Sequence, residues 1–139
     1  YGEVKEPINP LLLSLSSGAS FVARGAAFDI IGLTNLIKSA LNHKGFSHLD
    51  VLQQCVTFNK INTIEWYKQR TYDLLGSGHR TDDYFAALEK VAEKKKLPLG
   101  IFYQQELPSY FEEFPQLEGT VLRDKTIDFD KKDLAREFK

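Results

Sequence analysis

Cys55 offers the most chemistry in this chain, because it is the single cysteine and it lies just past a short apolar segment, after two glutamines. A thiolate can act as a nucleophile or as a metal ligand, whereas a free cysteine is as often a small buried hydrophobe. A nucleophile would need a histidine base. His48 lies seven positions upstream, an odd spacing that would place it on the face of the strand opposite to Cys55. A ligand role needs three more ligands, which this chain does not supply as cysteines. Position alone leaves the three interpretations open.

Asp50 is a second candidate, because it lies in the middle of an otherwise apolar segment. A buried carboxylate must be paired or hydrogen-bonded. Arg24, at the end of a neighbouring predicted strand, is the expected partner. Such a pair would order the loops beside it and support a site without performing chemistry itself. A catalytic role for Asp50 is the alternative.

The elements that would position these residues form a strand, a helix and a second strand. The strands are predicted over residues 19–24 and 48–52, joined by a helix that Asp29 caps. Short turns between them favour a parallel crossover, and ligands gather at the carboxyl ends of parallel strands. One face of the helix is predicted to be buried through four apolar residues at helical spacing: Ile30, Leu33, Ile37 and Leu41.

The pattern also predicts elements on either side of this unit. A short helix should begin at Pro10, another should open at residues 62–65, and a third strand should cover residues 99–103. A helix capped by Asp82 or Asp83 should run to residue 96 with Phe85, Leu88 and either Val91 or Ala92 inward. His43 and His79 are expected to be solvated, as are the lysines of residues 90–96, and residues 130–139 should form a charged helix.

Composition is that of one globular domain. The 139 residues are 42% hydrophobic and 27% charged, and the net charge of −1 gives no bulk attraction to nucleic acid or to an anionic membrane. No apolar run is long enough to span a bilayer and no secretory signal is evident, so a cytoplasmic protein is expected. A single cysteine excludes an internal disulfide. The chain begins at Tyr1 and contains no methionine, which is expected of a piece of a longer polypeptide.

Six short motifs, in this order and at this spacing, resemble the C-terminal half of the β subunit of 2-oxoacid:ferredoxin oxidoreductases, enzymes related to pyruvate:ferredoxin oxidoreductase. The resemblance extends from about residue 6 to residue 72. The motifs are Ile8-Asn-Pro10, Gly18-Ala-Ser-Phe-Val-Ala-Arg-Gly25, Leu41-Asn-His-Lys-Gly-Phe46, Asp50-Val-Leu52, Cys55-Val-Thr-Phe-Asn59 and Asn62-Thr-Ile-Glu-Trp-Tyr67.

The resemblance implies an α/β fold, a partial thiamine-diphosphate-binding fold in which a parallel sheet has flanking helices. Residues 1–60 would belong to that domain and residues 61–139 to a helical and irregular C-terminal extension. The family oxidises a 2-oxoacid with coenzyme A to acyl-CoA and CO₂, using thiamine diphosphate with Mg²⁺ and a [4Fe-4S] cluster that passes electrons to ferredoxin. By that match Cys55 would be the fourth cluster ligand, with Asp50 and Arg24 as supports around it and no catalytic residue in this chain. The implied partners are the N-terminal half of the same subunit, an α subunit with or without γ and δ subunits, and ferredoxin.

Two departures from the family pattern matter. Gln54 stands where the family often has proline, directly before the cysteine. The family's other cluster cysteines and its Gly-Asp-Gly…Asn diphosphate motif are not in this sequence, so the chain alone is expected to be inactive and to bind neither cofactor. The competing hypothesis is a stand-alone, non-catalytic interaction module of Rossmann-like shape. Its partner surface would be an aromatic segment that otherwise serves packing: Tyr103, Tyr110, Phe111 and Phe114.

Overall fold

The computed structural model describes residues 4–114. One compact unit extends as far as Leu107, and the residues from Pro108 onward belong to a second. The elements are α1 (Pro10–Ser16), β1 (Phe21–Ala26), α2 (Ile30–Asn42), β2 (Ser47–Leu52), α3 (Ile64–Arg70), β3 (Thr71–Asp73), a 3-10 turn (Leu75–Ser77), α4 (Tyr84–Val91), β4 (Leu97–Gln104) and α5 (Tyr110–Glu113).

Four strands form a mixed sheet in the order β2-β1-β4-β3. β1 and β2 are parallel, as are β3 and β4, so the α/β class and the parallel β1–α2–β2 unit are confirmed. β4 runs antiparallel to β1, however, because it enters the sheet between β1 and β3 from the opposite end. The register of that pair shifts between Val22 and Ala23, and Phe102 is the additional residue on β4. The sequence predicted a parallel sheet, whereas the observed sheet is mixed because of this one antiparallel pair.

The core lies where α1 and α4 pack on one face of the sheet. β1 is one of the two inner strands of the sheet, and Phe21, Val22 and Ala23 are completely buried. Burying a side chain of the size of Phe21 or Val22 stabilises a fold by about 1.5–3 kcal/mol relative to leaving it exposed. The buried members of the core cluster are Leu11, Leu15, Ala19, Val22, Leu74, Ala87, Val91 and Phe102.

Helix α2 covers the opposite face of β1, although not through the face that the sequence predicted. Asp29 caps the helix by accepting the Gly32 amide at 3.0 Å, as predicted. Leu33 lies so close to Gly25 that a Cβ there would sit 2.7 Å from the leucine methyl. Among the predicted inward residues, Ile30 is 75% exposed, Ile37 is 42% exposed and Leu41 is 80% exposed. The prediction of one buried face was wrong because apolar residues occupy more of this helix than the sheet can cover.

The second half of the unit differs from the predicted elements at α4, at β3 and at β4. Asp83 caps α4 as predicted, but the helix ends at Val91 and Phe85 is 76% exposed, so its predicted inward position was wrong. Pro98 lies inside β4, where it pairs with Tyr72 of β3. The sequence did not predict β3, because a strand of three residues is too short to show a periodic pattern. The predicted tail helix at residues 130–139 lies outside the described residues. The proposed division of the chain at residue 60 stays a prediction.

Candidate functional site

Cys55 lies in the loop that joins β2 to α3, residues 53–63, directly beyond the carboxyl end of β2. The thiol is exposed, so its interpretation as a buried hydrophobe was wrong. The backbone amides of Phe58, then Asn59 and Thr57, donate toward the sulfur and lower the pKa of the Cys55 thiol. The loop therefore stabilises a thiolate at this position.

The lowered pKa predicts that Cys55 of the metal-free chain is alkylated as a thiolate at lower pH than an ordinary cysteine. Iodoacetamide rates measured across pH should reach half of their maximum at a lower pH than in a peptide of residues 50–60. The peptide has the same sequence but does not hold the three amides on the sulfur. Equal midpoints, or a higher midpoint in the folded chain, would contradict the assigned amide contacts.

The loop around Cys55 is held by side chains as well as by its backbone. The Asn59 amide donates to the Cys55 carbonyl at 3.2 Å, and the Asn59 side chain accepts the amides of Ile61 and Asn62, each at 3.0 Å. Gln54 accepts the Ile64 amide at 3.2 Å and so joins the two ends of the loop. The sequence analysis assigned no role to Gln54. The signal that could have pointed to this residue is that the family often has proline at its position.

Arg24 and Asp50 form the ion pair that the sequence predicted. They are partners in the parallel register of β1 and β2, and Nε of Arg24 donates to Oδ2 of Asp50 at 2.7 Å. Their side chains are 12% and 21% exposed. The Arg24 guanidinium also lies 6.0 Å from the centre of the Phe102 ring, so the pair is packed against the core. Support of the Cys55 loop by this pair stays a prediction.

The three histidines of the chain are bonded to groups other than Cys55. His48 contacts the Ser14 hydroxyl at 2.6 Å, His43 the Ser20 hydroxyl at 2.9 Å and His79 the Phe102 carbonyl at 2.8 Å. His43 and His79 are half-buried, so the prediction that they are solvated was wrong. Because every imidazole is engaged elsewhere, the arrangement does not support a cysteine–histidine nucleophile.

A cavity of about 350 Å³ lies at the carboxyl end of β1, between α2 and β4. Gly25 and Ala26 form its floor, and Leu33 and Leu36 of α2 line one wall. Its lining is mainly apolar, and the carboxylates nearby are engaged in local turns, as with Asp73, which accepts the Leu75 amide at 2.8 Å. The cavity offers space at the predicted edge of the sheet without a convergent set of catalytic groups.

Comparison with known proteins decides the family. A family model described as the C-terminal region of the pyruvate ferredoxin oxidoreductase β subunit matches residues 55–119. The 2-oxoacid:ferredoxin oxidoreductase β subunit of a Sulfolobus species is 46% identical over 122 residues, which cover 78% of this chain and 40% of that subunit. This chain belongs to the β-subunit family of 2-oxoacid:ferredoxin oxidoreductases.

Further members of the family agree with this assignment. The corresponding β subunit of Saccharolobus solfataricus is 40% identical over 121 residues, covering 79% of this chain and 40% of the relative. The chain thus spans less than half the length of these β subunits. A solved chain of the 2-oxoglutarate:ferredoxin oxidoreductase of Magnetococcus marinus, with 2-oxoglutarate, coenzyme A and succinyl-CoA bound, superposes with a TM-score of 0.78 at 31% identity. That match covers 100% of this chain and 47% of the solved one.

The aromatic segment of the competing hypothesis is divided by the structure. Tyr103 packs edge-on against Tyr84 with ring centres 5.7 Å apart, and it contacts the core cluster. Tyr110 packs on Phe114 at 4.6 Å within the second unit. Tyr103 therefore serves packing, which was the ordinary interpretation of this residue. Within residues 4–114, no helix is long and apolar enough to cross a membrane.

Proposed function

We propose that this chain forms part of the β subunit of a 2-oxoacid:ferredoxin oxidoreductase and that Cys55 supplies the fourth ligand of its [4Fe-4S] cluster. The observation that carries the proposal is an exposed thiol in the loop beyond the carboxyl end of β2, at the start of the region that the family model matches. Iron–sulfur clusters are held by thiolates, and amides near the sulfur tune their potential. The donor at this position therefore fits the group.

The remaining ligands would come from outside this chain. The sequence contains one cysteine, and residues 4–114 hold no group of three or more His, Cys, Asp or Glu side chains suited to a metal ion. In the complete enzyme, thiamine diphosphate with Mg²⁺ would supply carbanion chemistry on the 2-oxoacid and the cluster would transfer single electrons. This chain's share is positional, since it presents a thiolate at the edge of the sheet. We expect the chain alone to have no oxidoreductase activity.

Exposed apolar residues support the proposal that other protein segments cover this chain. Ile30 and Ile31 at the start of α2 are 75% and 78% exposed, and Leu41 near its end is 80% exposed. Phe46, which follows α2, is 67% exposed. Clusters of this kind mark protein interfaces. The N-terminal part of the same subunit and the α subunit are the proposed occupants, and ferredoxin is the proposed electron acceptor of the assembled enzyme.

The proposal is tested by replacing Cys55 in the complete enzyme that contains this chain. Cys55→Ala should abolish most of the cluster, because one of four thiolate ligands is lost. Iron and acid-labile sulfide would be measured per β subunit, together with the electron paramagnetic resonance (EPR) spectrum after reduction. The matched control is Val56→Ala, which truncates the neighbouring side chain, itself 67% exposed. Full iron content and an unchanged spectrum in Cys55→Ala would overturn the ligand role.

A further inference from the structure

Gln54 connects the two ends of the Cys55 loop, although its side chain is not a ligand type for iron. Its Oε1 accepts the backbone amide of Ile64 at 3.2 Å, across ten positions of the chain. Ile64 is the first residue of α3, so this amide is one of those that a helix leaves without an internal partner. Gln54 is adjacent to Cys55, and fixing its side chain fixes the backbone from which the thiol projects.

The other bonds of the loop act locally and do not bridge it. Asn59 binds the amides of Ile61 and Asn62, and the Thr63 hydroxyl accepts the Trp66 amide at 3.2 Å to cap α3. These contacts shape the far half of the loop and the beginning of the helix. The bond from Gln54 is the contact that ties the cysteine end to the same helix.

We infer that Gln54 is the positioning residue for Cys55, its amide oxygen holding the cysteine end of the loop against the first turn of α3. The inference rests on the proposed function, in which Cys55 is a cluster ligand. Partners of this kind that orient a metal ligand typically change metal affinity by about 10–100-fold when they are removed. Gln54 would thereby hold in one position the backbone that carries the ligand sulfur.

The test compares variants of the complete enzyme. Gln54→Ala should release iron to a chelator about 10-fold faster than the unmodified enzyme. It should also alter the EPR spectrum and shift the midpoint potential, since the ligand sulfur is less well fixed. Gln54→Glu keeps an oxygen acceptor and should retain iron as the unmodified enzyme does, although its added charge alone makes the midpoint potential more negative. Gln53→Ala, which truncates the exposed neighbour, is the matched control.

A second variant removes the same bond from its donor side, which keeps the test decisive if Gln54→Ala folds poorly. Ile64→Pro deletes the amide at a helix position where proline is well tolerated, and Thr63 already has the extended backbone that proline requires of its predecessor (φ −77°, ψ 172°). It should reproduce the changes seen in Gln54→Ala, and the double variant should add little. A normal potential and normal iron retention in both single variants would overturn the inference.

Cys55→Ala, measured in parallel, separates the two levels of the argument. If that variant loses its cluster while the Gln54 and Ile64 variants behave normally, the positioning role fails and the ligand role stands. If Cys55→Ala keeps a normal cluster, the proposed function fails and the inference fails with it.

Discussion

Replacing Gly45 by alanine should destabilise the fold by about 3–5 kcal/mol, combining backbone strain with overpacking. Gly45 has φ +118°, a backbone conformation that residues with a side chain rarely adopt. A Cβ built there would overlap the Ser20 hydroxyl. Ser20 is 1% exposed and is bonded to His43 at 2.9 Å and to the Phe46 carbonyl at 3.2 Å, so it has no room to move. The free energy of unfolding, measured by urea titration, checks this prediction.

Gly78→Ala measures the cost of a left-handed backbone at a position where a side chain would meet no neighbour. Gly78 also has a positive φ of +74°, but nothing lies within 4 Å of a Cβ built on it. Its replacement should cost about 1–2 kcal/mol, the penalty of the left-handed conformation alone. If the two alanine variants lose the same stability, the close approach of Gly45 to Ser20 contributes nothing.

Arg24→Ala should cost about 2–4 kcal/mol, because it leaves the Asp50 carboxylate mostly buried without its partner. The carboxylate is 21% exposed, which places the loss below that of a fully buried pair. Replacing both residues by leucine should recover much of the stability, since no charge then remains unpaired. Urea unfolding of Arg24→Leu, Asp50→Leu and the double leucine variant gives the coupling energy of the pair.

The exposed pair of Arg80 and Asp82 is the control for this result. Their side chains are 69% and 72% exposed at a separation of 3.3 Å. Exposed pairs contribute little, because solvent screens both charges, so Arg80→Ala should leave the unfolding midpoint nearly unchanged. Similar losses in Arg24→Ala and Arg80→Ala would show that burial does not strengthen the Arg24–Asp50 pair.

Local signals predicted the parts of this fold that depend on short-range chemistry. The Asp29 cap follows from residue type within one helical turn. The Arg24–Asp50 pair, 26 positions apart, could be predicted because a parallel β1–α2–β2 unit places the ends of its two strands side by side. The assignment of the chain to its family came from motif order instead. Periodicity, turn chemistry and charge would not have named an oxidoreductase subunit.

Long-range packing was the part that sequence could not give. Periodicity cannot state which apolar stripe of α2 meets the sheet, since that depends on what else packs there, and Ile30 and Leu41 were assigned wrongly for this reason. The antiparallel pairing of β4 with β1 has no local signature either. At the candidate site, Gln54 was missed because its role depends on Ile64, ten positions further along the chain.

The position of β4 at the centre of the sheet has a consequence for how the chain folds during synthesis. Phe21 of β1 pairs with Gln104 of β4, so β1 lacks one neighbour until the ribosome has released residues far downstream. The ribosome adds about 5–20 residues per second, so the time between synthesis of β1 and synthesis of β4 is roughly 4–16 seconds. During it, the apolar segment of β1 presents an open edge to other nascent chains, and early chaperone binding should therefore concentrate on residues 19–26.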